Sequence, residues 1–218
     1  MTSPNSHASR SILSMAALGL VSGSLSTFRP EWIKSSLNPL SSAIGIDGVG
    51  LFPGLVFAAI VAFGVWYLGR PRSASWTQCL LVYLTAVIAW VCAVHIALYI
   101  YDVLDDPISL LQSFGQSKRP VSEIEQRLIT GLLAGATGAS VLFAGNALFV
   151  VPLRSLWGIA IGCLIGAGAG LMLWFALESD LEYLGPWLLF AIWQSTAAAW
   201  LGFLMSRSVR GTNPEKQI

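Results

Sequence analysis

The chain has 218 residues, of which 55% are hydrophobic and only 11% charged, and its mean hydropathy is +0.70. A soluble domain carries about 25% charged residues, so this composition excludes an ordinary water-soluble fold and predicts an integral membrane protein. The formal net charge of +1, without any basic cluster interleaved with aromatic residues, excludes a nucleic-acid partner bound by bulk charge.

Apolar runs define the predicted architecture, because a helix needs about 20 apolar residues to cross a bilayer core of about 30 Å. Six runs satisfy or approach this length and predict an all-α, polytopic transmembrane helical bundle. The predicted spans cover residues 11–28, 49–69, 77–103, 128–151, 155–177 and 185–207. Residues 11–207 then form a single transmembrane domain between an N-terminal tail, 1–10, and a C-terminal tail, 208–218.

The first run, SILSMAALGLVSGSLSTF, permits two interpretations. Arg10 before a short apolar stretch, with small residues after it, resembles a secretory signal peptide. On the other side, no A-x-A cleavage site is present, and Gly19 and Gly23 form a small-xxx-small pair suited to helix packing. We favour a retained helix. Cleavage would leave five spans threaded in the same way.

Two connections on the side opposite the termini are long enough to hold short helices lying in the membrane interface. The first begins near Pro30 and is predicted to be cut by Pro39. The second has Asp106 as an N-cap followed by Pro107.

The fifth run, WGIAIGCLIGAGAGLMLW, is unusually rich in glycine. In water each interior glycine costs a helix about 0.5–1 kcal/mol relative to alanine, but in hydrocarbon no water competes for the backbone. Glycines four residues apart let a neighbouring helix approach closely. We therefore predict close packing of spans 4 and 5, and the predicted packing residues are Gly131, Gly135, Gly138, Gly158, Gly162, Gly166 and Gly170.

Charge distribution predicts the orientation. With the N-terminus inside, seven basic residues lie on the cytoplasmic side and five on the other, as the positive-inside rule requires. Ten of the eleven acidic residues lie outside. We therefore predict a plasma-membrane protein with both termini in the cytoplasm.

Weak internal similarity relates spans 1–3 to spans 4–6. TAVIAW at 85–90 resembles STAAAW at 195–200, and SGSLSTF at 22–28 resembles TGASVLF at 137–143. Two halves of three spans each would be inverted relative to one another, as in many transporters. Small and aromatic residues are abundant in this chain, so chance matches explain the similarity more readily than a duplication does.

Polar side chains within the spans are few, and two readings of them stay open. His95, Asn146 and Gln194 lie at different predicted depths, which is typical of hydrogen bonds that hold helices together. The sharper hypothesis is a polar or ion pathway, because His95, Tyr99, Asp102 and Asp106 share one face of span 3. An ordinary polar helix end explains that face as well. The candidate pathway also includes Gln194 of span 6.

A second acidic cluster follows span 5. Together with the end of span 3 it forms a predicted outer acidic rim of Asp105, Glu178, Asp180 and Glu182. Oxygen ligands of this kind suit a divalent cation, but the spacing is not that of a known site. The three cysteines have no CxxC partner, and we predict no metal site.

The sequence contains no recognised catalytic motif, so we expect a protein that is not an enzyme and has no cofactor, with membrane lipid bound to it. We expect its partners to be other membrane protein subunits or a second copy of the chain, and two functions fit. The first is a structural or accessory subunit that packs against other membrane proteins. The second is a small permease or channel built from two three-helix halves, with the acidic rim as its outer entrance.

Overall fold

The computed structural model describes residues 4–28, 31–46, 50–69, 75–105, 122–177 and 183–210, and within these ranges the chain is helical without strands. A 3₁₀ turn at Val151–Leu153 precedes the sixth helix. The helices, in chain order, are α1 (Pro4–Thr27), α2 (Glu31–Ala43), α3 (Phe52–Gly69), α4 (Trp76–Asp105), α5 (Glu123–Phe149), α6 (Leu156–Gly170), α7 (Leu173–Ala176) and α8 (Leu184–Arg210).

Four of these helices are long and apolar enough to cross a membrane: α1, α4, α5 and α8. They confirm the predicted all-α class and indicate a membrane protein. The apolar parts of α3 and α6, Phe52–Leu68 and Leu156–Gly170, are shorter. At 1.5 Å per residue they measure about 25 Å and about 22 Å, less than the hydrocarbon thickness of about 30 Å. The crossing of α3 and α6, and hence the six-span threading, stays a prediction.

The prediction of one continuous helix over 155–177 is wrong. α6 ends at Gly170, and the backbone N–H groups of Leu171 and Met172 donate to carbonyls three residues back, at 3.3 and 3.1 Å, instead of four. Leu171 keeps right-handed helical angles (φ −59°, ψ −20°), so the helix ends in a tightened turn of 3₁₀ type. Beyond this turn α7 packs against α8, as α6 does before it.

The interruption predicted at Pro39 is also wrong, because α2 continues through that residue. Proline removes one backbone N–H from the helix ladder, but Pro39 is exposed, so its ring meets no neighbouring helix. After α2 the chain turns at Gly45, where φ is +69°, and again at Gly50, where φ is +78°. Glycine alone adopts such angles freely. The second helical connection, predicted after Asp106, lies outside the described residues.

Antiparallel packing between successive helices is fixed by polar contacts at their ends. Gln78 at the start of α4 donates to the Phe149 carbonyl at the end of α5 (2.6 Å), and Gln126 near the start of α5 donates to the Tyr101 carbonyl near the end of α4 (2.8 Å). Arg154 then donates to two carbonyls in the last turn of α5, which allows the tight connection to α6.

The helices therefore alternate in direction. We call the end of the bundle that holds the start of α1 and the end of α8 the terminal end, and the opposite end the distal end. The half towards the terminal end is filled by a continuous apolar core, which includes Met15, Val65, Leu153, Leu201 and Met205. A second cluster at Ile46, Leu51, Trp90 and Val94 lies towards the distal end.

Candidate functional site

The predicted polar face of α4 lies on the outside of the bundle. His95, Tyr99 and Asp102 are all exposed, with 64% of Tyr99 accessible. The His95 Nδ1 lies 2.9 Å from the Val91 carbonyl of its own helix, and Nε2 lies beside Gly45, where a Cβ would be 3.5 Å away. The structure thus keeps these three residues together but turns them away from the bundle interior.

The predicted acidic rim falls mainly outside the described residues. Asp106, Glu178, Asp180 and Glu182 lie there, and Asp105 is the last residue of α4. Within the ranges that the structure describes, no group of three or more His, Cys, Asp or Glu side chains is placed to hold a metal ion.

Gln194 belongs to a different environment, a buried polar cluster between α8 and α1. Its side-chain Nε2 donates to Ser26 Oγ at 3.2 Å, and Ser26 Oγ donates to the Ser22 carbonyl at 2.8 Å. Gln194 Oε1 and Ser22 Oγ have no hydrogen-bond partner among the described residues. An amide bonded across two helices is the arrangement expected of interhelical packing.

Ser22 and Ser26 were not singled out by the sequence analysis, although a signal for them exists. They lie four residues apart, and Gly19 and Gly23 of the same helix are the residues that meet α8. A Cβ on Gly19 would lie 2.5 Å from Ser195 Cα, and one on Gly23 would lie 2.5 Å from Ala191 Cα. The small residues of α1 therefore bring the two backbones together, and the serines satisfy polar groups beside that contact.

Four of the predicted packing glycines form the crossing of α5 and α6. A Cβ on Gly131 would overlap the Gly170 carbonyl, and a Cβ on Gly135 would overlap the Gly166 carbonyl. The reciprocal additions, at Gly166 and Gly170, meet the backbone of α5 in the same way. These helices touch backbone to backbone, so any side chain at the crossing would separate them.

The other predicted packing glycines face side chains. A Cβ on Gly162 would overlap the Phe143 ring, and one on Gly158 would lie 2.9 Å from Leu204 Cδ2. Gly138 was predicted to join the contact of spans 4 and 5, but a Cβ there would meet Ala93 of α4 and Trp193 of α8, at 3.0 and 3.3 Å. The absence of a side chain at Gly138 therefore allows α4 and α8, and not α6, to approach α5 closely.

A cavity of about 460 Å³ lies in the distal half of the bundle. Its lining includes the buried rings of Trp90 and Trp193 and the exposed side chains of Leu98, Leu177 and Tyr183, and we call these three exposed residues its rim. Lining residues come from α1, α4, α5, α6, α7 and α8, and none carries a formal charge. The Trp90 N–H donates to the Gly50 carbonyl at 3.1 Å, so its polar atom is already occupied.

Comparison of the chain with known protein families, curated proteins and solved structures found no match.

Proposed function

We propose that the chain is a multi-pass integral membrane protein that serves as an accessory subunit, packing against another membrane protein. The exposed polar stripe of α4, His95–Tyr99–Asp102, carries this proposal. His95 lies ten residues before the end of α4, which is about 15 Å along the helix. Ionisable side chains at such depth almost always face protein or water. A partner that covers the stripe would provide that protein environment.

The composition of the described helices also favours a role in binding other proteins over a role in catalysis. Every Asp, Glu, Lys and Arg in these helices lies within seven residues of a helix end. Among the described residues, the terminal half of the bundle has a largely apolar core, with Asn146 as a buried polar residue in it. Closely packed helices of this kind match the requirements of an assembly subunit.

We further propose that α1 is retained and that the terminal end faces the cytoplasm at the plasma membrane. The burial of Met15 and the close contact of Gly19 and Gly23 with α8 favour retention, because removal of α1 would expose that face of α8. A single cysteine introduced at each terminus of a cysteine-free variant tests the threading. Both should be labelled by a membrane-impermeant maleimide only after the membrane is opened. Labelling of one end in intact cells would refute the orientation.

The partner surface is tested by photo-crosslinking in native membranes. A benzoylphenylalanine at Tyr99 should give one adduct of defined mass with a second protein, and that protein should co-purify in a fixed ratio. Leu164, 72% exposed on α6, is the matched control and should give lipid adducts only. Equal crosslinking from both positions, or only lipid adducts from Tyr99, would refute the proposed surface.

A small permease is the second candidate, and two observations favour it. The cavity lies between α1 and α4 of the first half of the chain and α5 to α8 of the second half. Three packed helix pairs also correspond when the halves are exchanged: α1–α8 with α4–α5, α1–α3 with α5–α6, and α3–α4 with α6–α8. The contact of α3 with α8 has no comparable counterpart between α6 and α4. The three matching pairs are those expected of an inverted repeat.

The same crosslinking experiment discriminates the two functions. A hetero-adduct from Tyr99 supports the accessory subunit. An adduct of twice the chain mass, or a chain that purifies alone and makes vesicles permeable to a test solute, supports the permease.

A further inference from the structure

We propose that the distal cavity binds one acyl chain of a membrane phospholipid, with the lipid headgroup held outside the rim. This inference rests on the proposed membrane insertion but not on the accessory role. The sequence leads us to expect bound lipid, and this proposal names the cavity where the lipid binds and the part of the lipid that enters it.

The chemistry of the lining selects hydrocarbon. Among the described lining residues, Ser26, Thr27 and Tyr183 are the ones that carry hydroxyl groups. Ser26 Oγ is already engaged by Gln194 and by the Ser22 carbonyl. Trp90, Phe190 and Trp193 contribute aromatic rings, and the lining residues other than these and the three with hydroxyl groups are aliphatic or glycine. Among the described residues such a lining has no charged side chain that would bind a charged solute.

The polarity along α4 and α5 fits an amphiphile. One turn beyond Leu98 on α4 lies Asp102, and one turn before Gly131 on α5 lies Arg127, which pairs with Glu123. The apolar walls therefore end where charged side chains begin. A molecule with an apolar tail in the cavity would place its polar head at this boundary.

The volume is small for a complete transmembrane helix as the enclosed occupant. A helix about 10 Å wide occupies about 420 Å³ for each 5.4 Å turn, so a cavity of about 460 Å³ holds only about one turn. An acyl chain is thin enough to extend from the rim to the tryptophans. The cavity lies within the ~300–1,000 Å³ range of small-molecule sites.

Native mass spectrometry of the full chain in mild detergent tests the site. The protein is stripped of lipid and then given a diacyl phosphatidylethanolamine, or in a parallel arm oleic acid. Ala134→Phe on α5 fills the cavity, and Ala144→Phe, the same substitution at an exposed position on α5, is its control. We expect about one phospholipid per chain in wild type and in A144F, and an occupancy roughly ten-fold lower or less in A134F.

A second variant keeps the test decisive if A134F does not fold. Ala97→Phe fills the cavity from α4 at a half-buried position and should lose the phospholipid in the same way. Equal phospholipid occupancy in wild type and A97F, or preferential retention of oleic acid, would overturn the inference. A protein that resists alkaline carbonate extraction but holds no lipid would overturn this inference alone. Release of the chain by carbonate would overturn the proposed function as well.

Discussion

Leucine in place of Gly166 should loosen the α5–α6 crossing. A Cβ at this position would overlap Ala139 Cβ and would lie 2.6 Å from the Gly135 carbonyl oxygen. The carbonyl belongs to the backbone of α5 and cannot rotate away, so the two helices must separate to admit the side chain. Overfilling of a packed interior costs about 1–3 kcal/mol and occasionally more.

The magnitude can be converted into a melting temperature. For a chain of 150–250 residues, 1 kcal/mol corresponds to a shift of about 2–4 °C, so G166L should melt about 2–12 °C below wild type in detergent. G162L should fall less, because the obstacle there is the Phe143 ring, a side chain that can move. Gly168 is the control: no atom lies within 4 Å of a Cβ placed on it.

Thermal unfolding in one detergent, followed by tryptophan fluorescence or by loss of monodisperse elution, provides the assay. The expected order of melting temperatures is G168L near wild type, then G162L, then G166L. Wild-type stability of G166L, or an equal loss in G168L and G166L, would show that the glycine contact is not what holds these helices together.

Three further predictions concern hydrogen bonds and the exposed stripe. Gln194→Met should change the unfolding free energy by less than about 1 kcal/mol. Gln194 makes a single interhelical hydrogen bond, to Ser26, and its Oε1 has no partner among the described residues, so little is lost. A fall of more than about 4 °C in melting temperature would contradict this. Trp200→Phe removes the hydrogen bond from the indole N–H to the Gly158 carbonyl (2.8 Å). It should lower the melting temperature by about 2–4 °C for each kcal/mol of stability lost. An unchanged melting temperature would show that this hydrogen bond does not stabilise the fold. His95→Ala should change the stability of the isolated chain by less than about 0.5 kcal/mol, since the side chain is exposed. It should nevertheless weaken co-purification of the partner. Unchanged co-purification would refute a role for His95 in the partner surface.

Local sequence patterns were sufficient for the class of the fold. The length of an apolar run depends only on neighbouring residues, so α4, α5 and α8 could be located from the sequence to within a few residues at most ends. The helix break after Gly170 was missed, because hydrophobicity continues through it and only backbone geometry ends the helix.

The arrangement around each helix axis required the tertiary structure. Spacing showed that His95, Tyr99 and Asp102 share a face, but whether that face points inward depends on which helices pack beside α4. Likewise, the sequence contains Ser26 and Gln194 168 residues apart, and only the pairing of α1 with α8 brings them together. Sequence alone determined that the chain folds into membrane-type helices, because burial in lipid is decided residue by residue. The structure decided which faces meet and where the distal cavity remains, because those contacts join residues distant along the chain.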